Sequence, residues 1–272
     1  MKSTFPKAQT RLAVRLWTAA LLIPLVVGTV IIGGRLYSAV IAFMAVLLIF
    51  EWTRMVEGAE FSRGFYALSV TTIITIFLAA SGQFPLALIV ICVGGVAATL
   101  IERSVKRKVP WPLAGALYLL VPAVSALYIR HGAGDGRALT LLLFGVVWAT
   151  DSGAYLAGKV IGGPKLWPAL SPKKTWAGAA GGFMAGILVA VVIGPLLGAV
   201  FLPLQLAILG GLLSLAAIAG DLTESAVKRF YGVKDSGGVF PGHGGVLDRL
   251  DGFLMAVCVL ALFTLLRHHN VF

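Results

Sequence analysis

Charge is scarce in this chain. Only 12% of its 272 residues are charged, and the 11 acidic residues are outnumbered two to one by 22 lysines and arginines. A water-exposed domain surface needs far more ionic side chains, so a soluble fold is excluded; with 59% hydrophobic residues and a mean hydropathy of +0.96, the solvent is a bilayer. Cysteine is nearly absent. Cys92 and Cys258 both fall in apolar runs without metal-ligand spacing, which excludes a disulfide framework and a zinc site and leaves them as small packing residues. Polar stretches long enough for an independent soluble domain are missing, and the chain reads as one membrane domain.

What fills the sequence instead is a series of apolar runs. They lie at Leu16–Ile32, Leu36–Phe50, Phe65–Ala80, Phe84–Ile101, Trp111–Ile129 and Ala138–Ala157, and each predicts a membrane-crossing helix. The 45 residues from Trp176 to Gly220 carry no charge, enough for two crossings with a reversal near Pro195, Gly198 and Pro203. A run at Gly252–Leu266 brings the count to about nine. The expected fold is thus an all-α integral membrane protein, with five spans in residues 1–137 and four in 138–272, the second region carrying the chemistry. Placing the N-terminus in the cytoplasm puts 18 of the 22 basic residues on that face and leaves Arg35, Arg130, Arg137 and Arg267 outside. The C-terminus, with His268 and His269, then lies opposite. A cleaved signal peptide at the first run is disfavoured because the next apolar run begins almost at once. The net charge of +11 fits basic loops beside anionic lipid. Nucleic acid is excluded as a partner, since the basic residues sit in short membrane-flanking loops without interleaved aromatics.

No nucleophile-base pair, cysteine pair or Walker loop is present. Chemistry is concentrated in two segments, 150–176 and 220–252, which hold more than half of the eleven acids. Asp151 lies inside an apolar run, where a carboxylate costs about 2.5–3.5 kcal/mol. It is either a site residue or an aspartate that pairs with Lys159 or caps a neighbouring helix. In "SPKKTWAG", Ser171 as N-cap and Pro172 in the first turn predict a helix start, with Lys173 and Lys174 adding positive charge at an end that already attracts anions. The same lysines also satisfy the preference for basic residues beside a span. Gly178, Gly182 and Gly186 make a small-residue face for close helix packing.

In "GDLTESAVKRF", Asp221, Glu224, Ser225 and Lys228 share one helix face. That face is either part of a site or a surface salt bridge between Glu224 and Lys228. "YGVKDSGGVFPGHGGVLDRLDG" follows, its glycines surrounding Lys234, Asp235, His243, Asp248, Arg249 and Asp251. Glycine allows close backbone approach, so N–H groups of such a loop can meet phosphate oxygens while Asp221 and Asp248 converge on a divalent metal. His243 is a site residue or a loop hydrogen-bond donor. Acids that collect Mg²⁺ beside lysines and arginine suit a polyphosphate, and hence nucleotidyl or phosphoryl transfer.

The 27 residues Ser225–Asp251, "SAVKRFYGVKDSGGVFPGHGGVLDRLD", resemble the signature of the phosphatidate cytidylyltransferases, also called CDP-diacylglycerol synthases. "ATDSGAYLAGKVIGG" through "SPKKTWAGAAGG" is similar to the same family; the N-terminal half resembles it only as hydrophobic spans. The resemblance implies CTP and phosphatidic acid as substrates, CDP-diacylglycerol and pyrophosphate as products, and a homodimer. It further implies Mg²⁺ at Asp221 and Asp248, with a monovalent cation such as K⁺ beside it, in a bacterial inner membrane with the site facing the cytoplasm. Catalytic roles fall on Asp221, Lys228, His243, Asp248 and Arg249. Substrate contacts fall on Ser171, Lys173, Lys174, Thr175, Ser225, Arg229, Lys234, Asp235, Gly244 and Gly245. Asp151, Glu224 and Asp251 are further metal candidates. A CTP-dependent kinase of polyprenol-type lipids would share the triphosphate and metal requirements. A transporter would instead place charges at mid-membrane in two related halves.

Overall fold

The computed structural model describes residues 23–58, 60–102, 111–132, 134–237 and 245–268. His243, Gly244, His269 and the basic residues before position 23 and within 103–110 lie outside the described residues.

Nine α-helices, a π-helical turn at Tyr128–Gly132 that continues the fifth of them, and one short hairpin make up the described chain. In order they are α1 (Ile23–Ile32), α2 (Gly34–Glu57), α3 (Arg63–Ala80), α4 (Phe84–Ile101), α5 (Trp111–Leu127), α6 (Gly136–Val160), β1 (Lys165–Trp167), β2 (Ser171–Thr175), α7 (Trp176–Leu196), α8 (Pro203–Phe230) and α9 (Leu247–His268). Eight of them, α2 to α9, are long and apolar enough to cross a membrane; α1 is the described part of the first apolar run. The fold is that of an all-α integral membrane protein. Both cysteines are free.

Local signals explain the helix ends. Gly58 takes a left-handed φ of 71° and closes α2 by donating to the Arg54 carbonyl. Ser62 caps α3, its hydroxyl accepting from Phe65 N at 2.9 Å. Pro203 opens α8, where the Gln205 side chain accepts from Leu202 N at 3.0 Å.

Two apolar clusters hold the helices together. One joins α2 to α5, with Leu48, Ile49, Leu68, Ile91 and Leu119 at its centre and Val246, Leu247 and Leu254 packed into it. The other joins α6 to α9 through Leu139, Leu143, Val146, Leu209, Leu213 and Leu260. Large apolar side chains such as Phe77, Ile89, Val93 and Leu188 point outward, as a lipid-facing surface requires. The glycine stripe behaves as expected: Gly178, Gly182 and Gly186 are buried in α7, and a methyl on Gly182 would meet the Thr150 carbonyl of α6 at 2.6 Å.

One local expectation is overturned. Ser171 and Pro172 do not start a helix; residues 171–175 are extended and pair with β1, Lys165 opposite Thr175 and Trp167 opposite Ser171. The partner strand satisfies this backbone, so the helix begins only at Trp176, with Thr175 as its cap. Lys173 and Lys174 are therefore outside the first helical turn and point to opposite sides of a strand.

At 28 residues, α8 is roughly 42 Å long by its rise per residue, against a hydrocarbon thickness of roughly 30 Å. Its last turns, from Asp221 to Lys228, carry charged side chains after a long uncharged stretch. There they meet the hairpin, the end of α6 and the start of α9.

Candidate active site

The last turns of α8 carry Asp221, Glu224 and Lys228 along one stripe, and the first turns of α9 add Asp248 and Asp251. Two glycines bring these helices together. A methyl on Gly220 would strike the Asp251 carbonyl oxygen, and one on Gly252 would crowd the Ala217 carbonyl oxygen at 3.1 Å, so the absence of a side chain at Gly220 is what permits the close crossing. Because each glycine neighbours an acid, the crossing sets Asp221 beside Asp251. One carboxylate oxygen each from Asp221, Glu224 and Asp251 lie within 4.8 Å of one another.

Two lysines answer the acids. Lys174, on β2, forms an ion pair with Asp221. Lys228 Nζ lies 2.6 Å from Glu224 Oε2 and 2.7 Å from Asp248 Oδ1. The alternative of a solvated surface pair fails here, because the Glu224 side chain is 2% exposed and that of Lys228 13%. Such buried charges are costly unless compensated. Four carboxyl groups facing two ammonium groups leave two negative charges in excess when all are ionised, which a divalent cation offsets. Hard oxygen donors in this number fit Mg²⁺. The cluster could hold a metal.

Asp151 lies on α6, exposed and within electrostatic reach of Asp221, Asp251 and Lys174. The alternative pairing with Lys159 is not formed: Lys159 Nζ lies over the Tyr155 ring, 5.8 Å from its centroid. Asp248 is engaged differently from the other acids. Besides Lys228, it accepts from Ser236 N at 3.2 Å and from Gly245 N at 2.9 Å, tying the start of α9 to the segment after α8.

Other expected site residues take varied places. Ser225 is half-buried on α8 next to Glu224. Thr175 is buried and its hydroxyl accepts from Gly178 N at 3.0 Å, the work of a helix cap. Arg229 donates to the Val233 carbonyl at 3.2 Å, closing the end of its own helix. Ser171 is half-buried, while Lys173, Lys234, Asp235 and Arg249 are exposed. His243 and Gly244 fall outside the described residues.

Sequence reasoning missed Glu51. This carboxylate of α2 is fully buried and accepts from Val246 N and Leu247 N, both at 2.8 Å, and from Ser236 Oγ at 3.3 Å. The available signal was an acid within a helix that runs on to Glu57, in the first half of the chain.

The profile of the cytidylyltransferase family matches residues 13–266. The chain belongs to that family. It is therefore a nucleotidyltransferase by family, and the clustered acids and lysines lie inside the matched region. A phosphatidate cytidylyltransferase of Brucella suis biovar 1 (strain 1330) is 37% identical over 259 residues, 93% of each chain. Another, from Bacillus subtilis (strain 168), is 44% identical over 137 residues, covering 48% of this chain and 51% of the relative. One from Staphylococcus saprophyticus subsp. saprophyticus is 40% identical over 142 residues, 50% of this chain and 53% of its own.

Proposed function

We propose that this chain is a phosphatidate cytidylyltransferase. A phosphate oxygen of phosphatidic acid attacks the α-phosphorus of CTP; the new P–O bond forms as the bond to the bridging oxygen of the β-phosphate breaks, giving CDP-diacylglycerol and pyrophosphate. The observation that carries this reading is the group of Asp221, Glu224 and Asp251 oxygens beside Lys228 and Lys174, within the region that matches the family. An acceptor phosphate is already anionic at neutral pH, so no protein nucleophile is required. What the site must supply is neutralisation of converging negative charge.

Asp221, Glu224 and Asp251 would hold Mg²⁺, with Asp151 near its rim and Asp248 adjacent through Lys228. Bound there, Mg²⁺ supplies Lewis-acid polarisation of the triphosphate. Lys228 and Lys174 are placed to neutralise phosphate oxygens, and the exposed Lys173, Lys234 and Arg249 extend positive charge toward incoming substrate. The K⁺ beside Mg²⁺ and the homodimer implied by the resemblance belong to this proposal. So does the division at residue 137 into a five-span region and a catalytic four-span region, supported by the two apolar clusters. The distribution of 18 basic residues supports an active site on the cytoplasmic face of a bacterial inner membrane.

The test is incubation of purified protein in detergent with CTP, Mg²⁺ and phosphatidic acid. Formation of CDP-diacylglycerol with one pyrophosphate per lipid is the expected result. Transfer of the γ-phosphate to a polyprenol, supplied in a parallel incubation in place of phosphatidic acid, with release of CDP would overturn it in favour of a lipid kinase.

A further inference from the structure

A buried carboxylate must be compensated, and Glu51 shows how hydrogen-bond donors do this. Its side chain is fully enclosed, yet it sits on α2, in a region whose other residues read as lipid-facing or packing positions. Oε1 accepts from Val246 N, just before α9, and Oε2 from Leu247 N, its first residue. A helix start leaves such N–H groups without intrahelical partners and carries partial positive charge, so a carboxylate there is doubly favoured. Most helices take this cap from the residue just before them. Here it comes from 195 positions away in sequence, at the Val246 contact.

Glu51 also accepts from Ser236 Oγ, so one carboxylate grips both the segment leaving α8 and the segment entering α9. The enclosure is tight. A methyl on Gly237 would stand 2.8 Å from Glu51 Oε1, and one on Gly245 2.6 Å from Oε2. Asp248 makes the second grip on the same two segments through Ser236 N and Gly245 N, and with its other side holds Lys228. A chain of direct contacts thus runs from Glu51 through Ser236 and the α9 start to Asp248, Lys228 and Glu224.

We propose that Glu51 is a positioning residue for cytidylyl transfer: it fixes the start of α9 from the N-terminal half, and so sets Asp248 and Lys228 against the acid cluster. The kinetic part of this inference rests on the proposed cytidylyltransferase activity; the structural part does not. Glu51→Gln is the sharpest probe, because it keeps shape and volume but replaces one acceptor with an N–H donor. In either amide orientation that donor faces Val246 N–H or Leu247 N–H, leaving two donors head to head.

The full chain, purified in detergent, is compared as wild type, Glu51→Gln, Glu51→Asp and Ser236→Ala by three measurements: CDP-diacylglycerol formation, thermal unfolding, and amide hydrogen exchange. Glu51→Gln is expected to raise exchange at Val246 and Leu247 by about 10-fold or more, with α3 and α4 unchanged. Turnover should fall by about 10- to 100-fold with the Michaelis constant for CTP moved less than about 3-fold. Glu51→Asp, which keeps both acceptor oxygens, should recover part of the loss, and Ser236→Ala should show the mildest effect. Wild-type exchange at the α9 start in Glu51→Gln would overturn the inference. So would raised exchange in every helix together with lost turnover, which marks a fold-wide role. If Glu51→Gln does not fold, wild-type turnover in both other variants overturns it. Absence of CDP-diacylglycerol formation by the wild type would sink the functional reading alone, and the exchange data would still decide the place of Glu51.

Discussion

Two helices begin at the proposed site, and they are capped in opposite ways. α7 takes its cap from its own sequence, Thr175, whose hydroxyl accepts from Gly178 N three residues on. α9 takes its cap from Glu51 on α2, with Asp248 reaching back to Gly245 N from inside the first turn. The first arrangement makes a helix; the second also ties the two halves of the chain together at the point where acids and lysines meet. A local cap is replaceable by any short polar side chain, whereas a cap in trans fixes one geometry.

Substitutions at the two helix starts should differ in the size of their effects. At the α9 start, Asp248→Asn removes the ion pair with Lys228 and weakens the grip on Ser236 and Gly245. Turnover of CDP-diacylglycerol synthesis should fall by about 10²-fold, because a charge-assisted contact is lost beside the reacting phosphates. Steady-state kinetics check this, and a variant with wild-type turnover would separate Asp248 from the chemistry. Between the two starts, Gly220→Ala should force α8 and α9 apart, since its methyl meets backbone atoms that cannot rotate away. Overpacking of this kind costs about 1–3 kcal/mol, read as a lower melting temperature, and activity should drop along with it. Unchanged melting would mean the helices have slack at the crossing. The smallest effect belongs to the α7 start. Thr175→Ala should cost about 1 kcal/mol in unfolding, and Thr175→Ser should restore it. A large loss of turnover in Thr175→Ala without loss of stability would instead make Thr175 a substrate contact.

The spans are legible because hydropathy marks them: the run Phe84–Ile101 is α4 to the residue, and Phe65–Ala80 is α3 less its first two residues. The acid face of α8 was legible for a similar reason, since spacing along one helix fixes which side chains align. Contacts between elements were less so. Ser171 and Pro172 carry good local signals for a helix start, but β1 lies across the turn and claims that backbone. Asp251 sits one turn after Asp248, and only the close crossing at Gly220 reveals that it shares oxygen positions with Asp221 and Glu224 while Asp248 faces Lys228. Glu51 was the hardest to see. The apolar run ends at Phe50, whereas α2 continues through Glu57 and Glu51, just beyond the run, is enclosed in protein. The insertion cost that singled out Asp151 applies equally to Glu51.

On the proposed function, the carboxylates at the α8–α9 crossing would hold a divalent cation against the triphosphate. This role is tested most directly by the Mg²⁺ dependence of CDP-diacylglycerol synthesis in wild type and Asp221→Asn. Turnover of Asp221→Asn should fall by about 10²–10³ at limiting Mg²⁺ and be partly restored as Mg²⁺ is raised, because weakened coordination yields to mass action. Near wild-type turnover of Asp221→Asn at limiting Mg²⁺ would contradict that role.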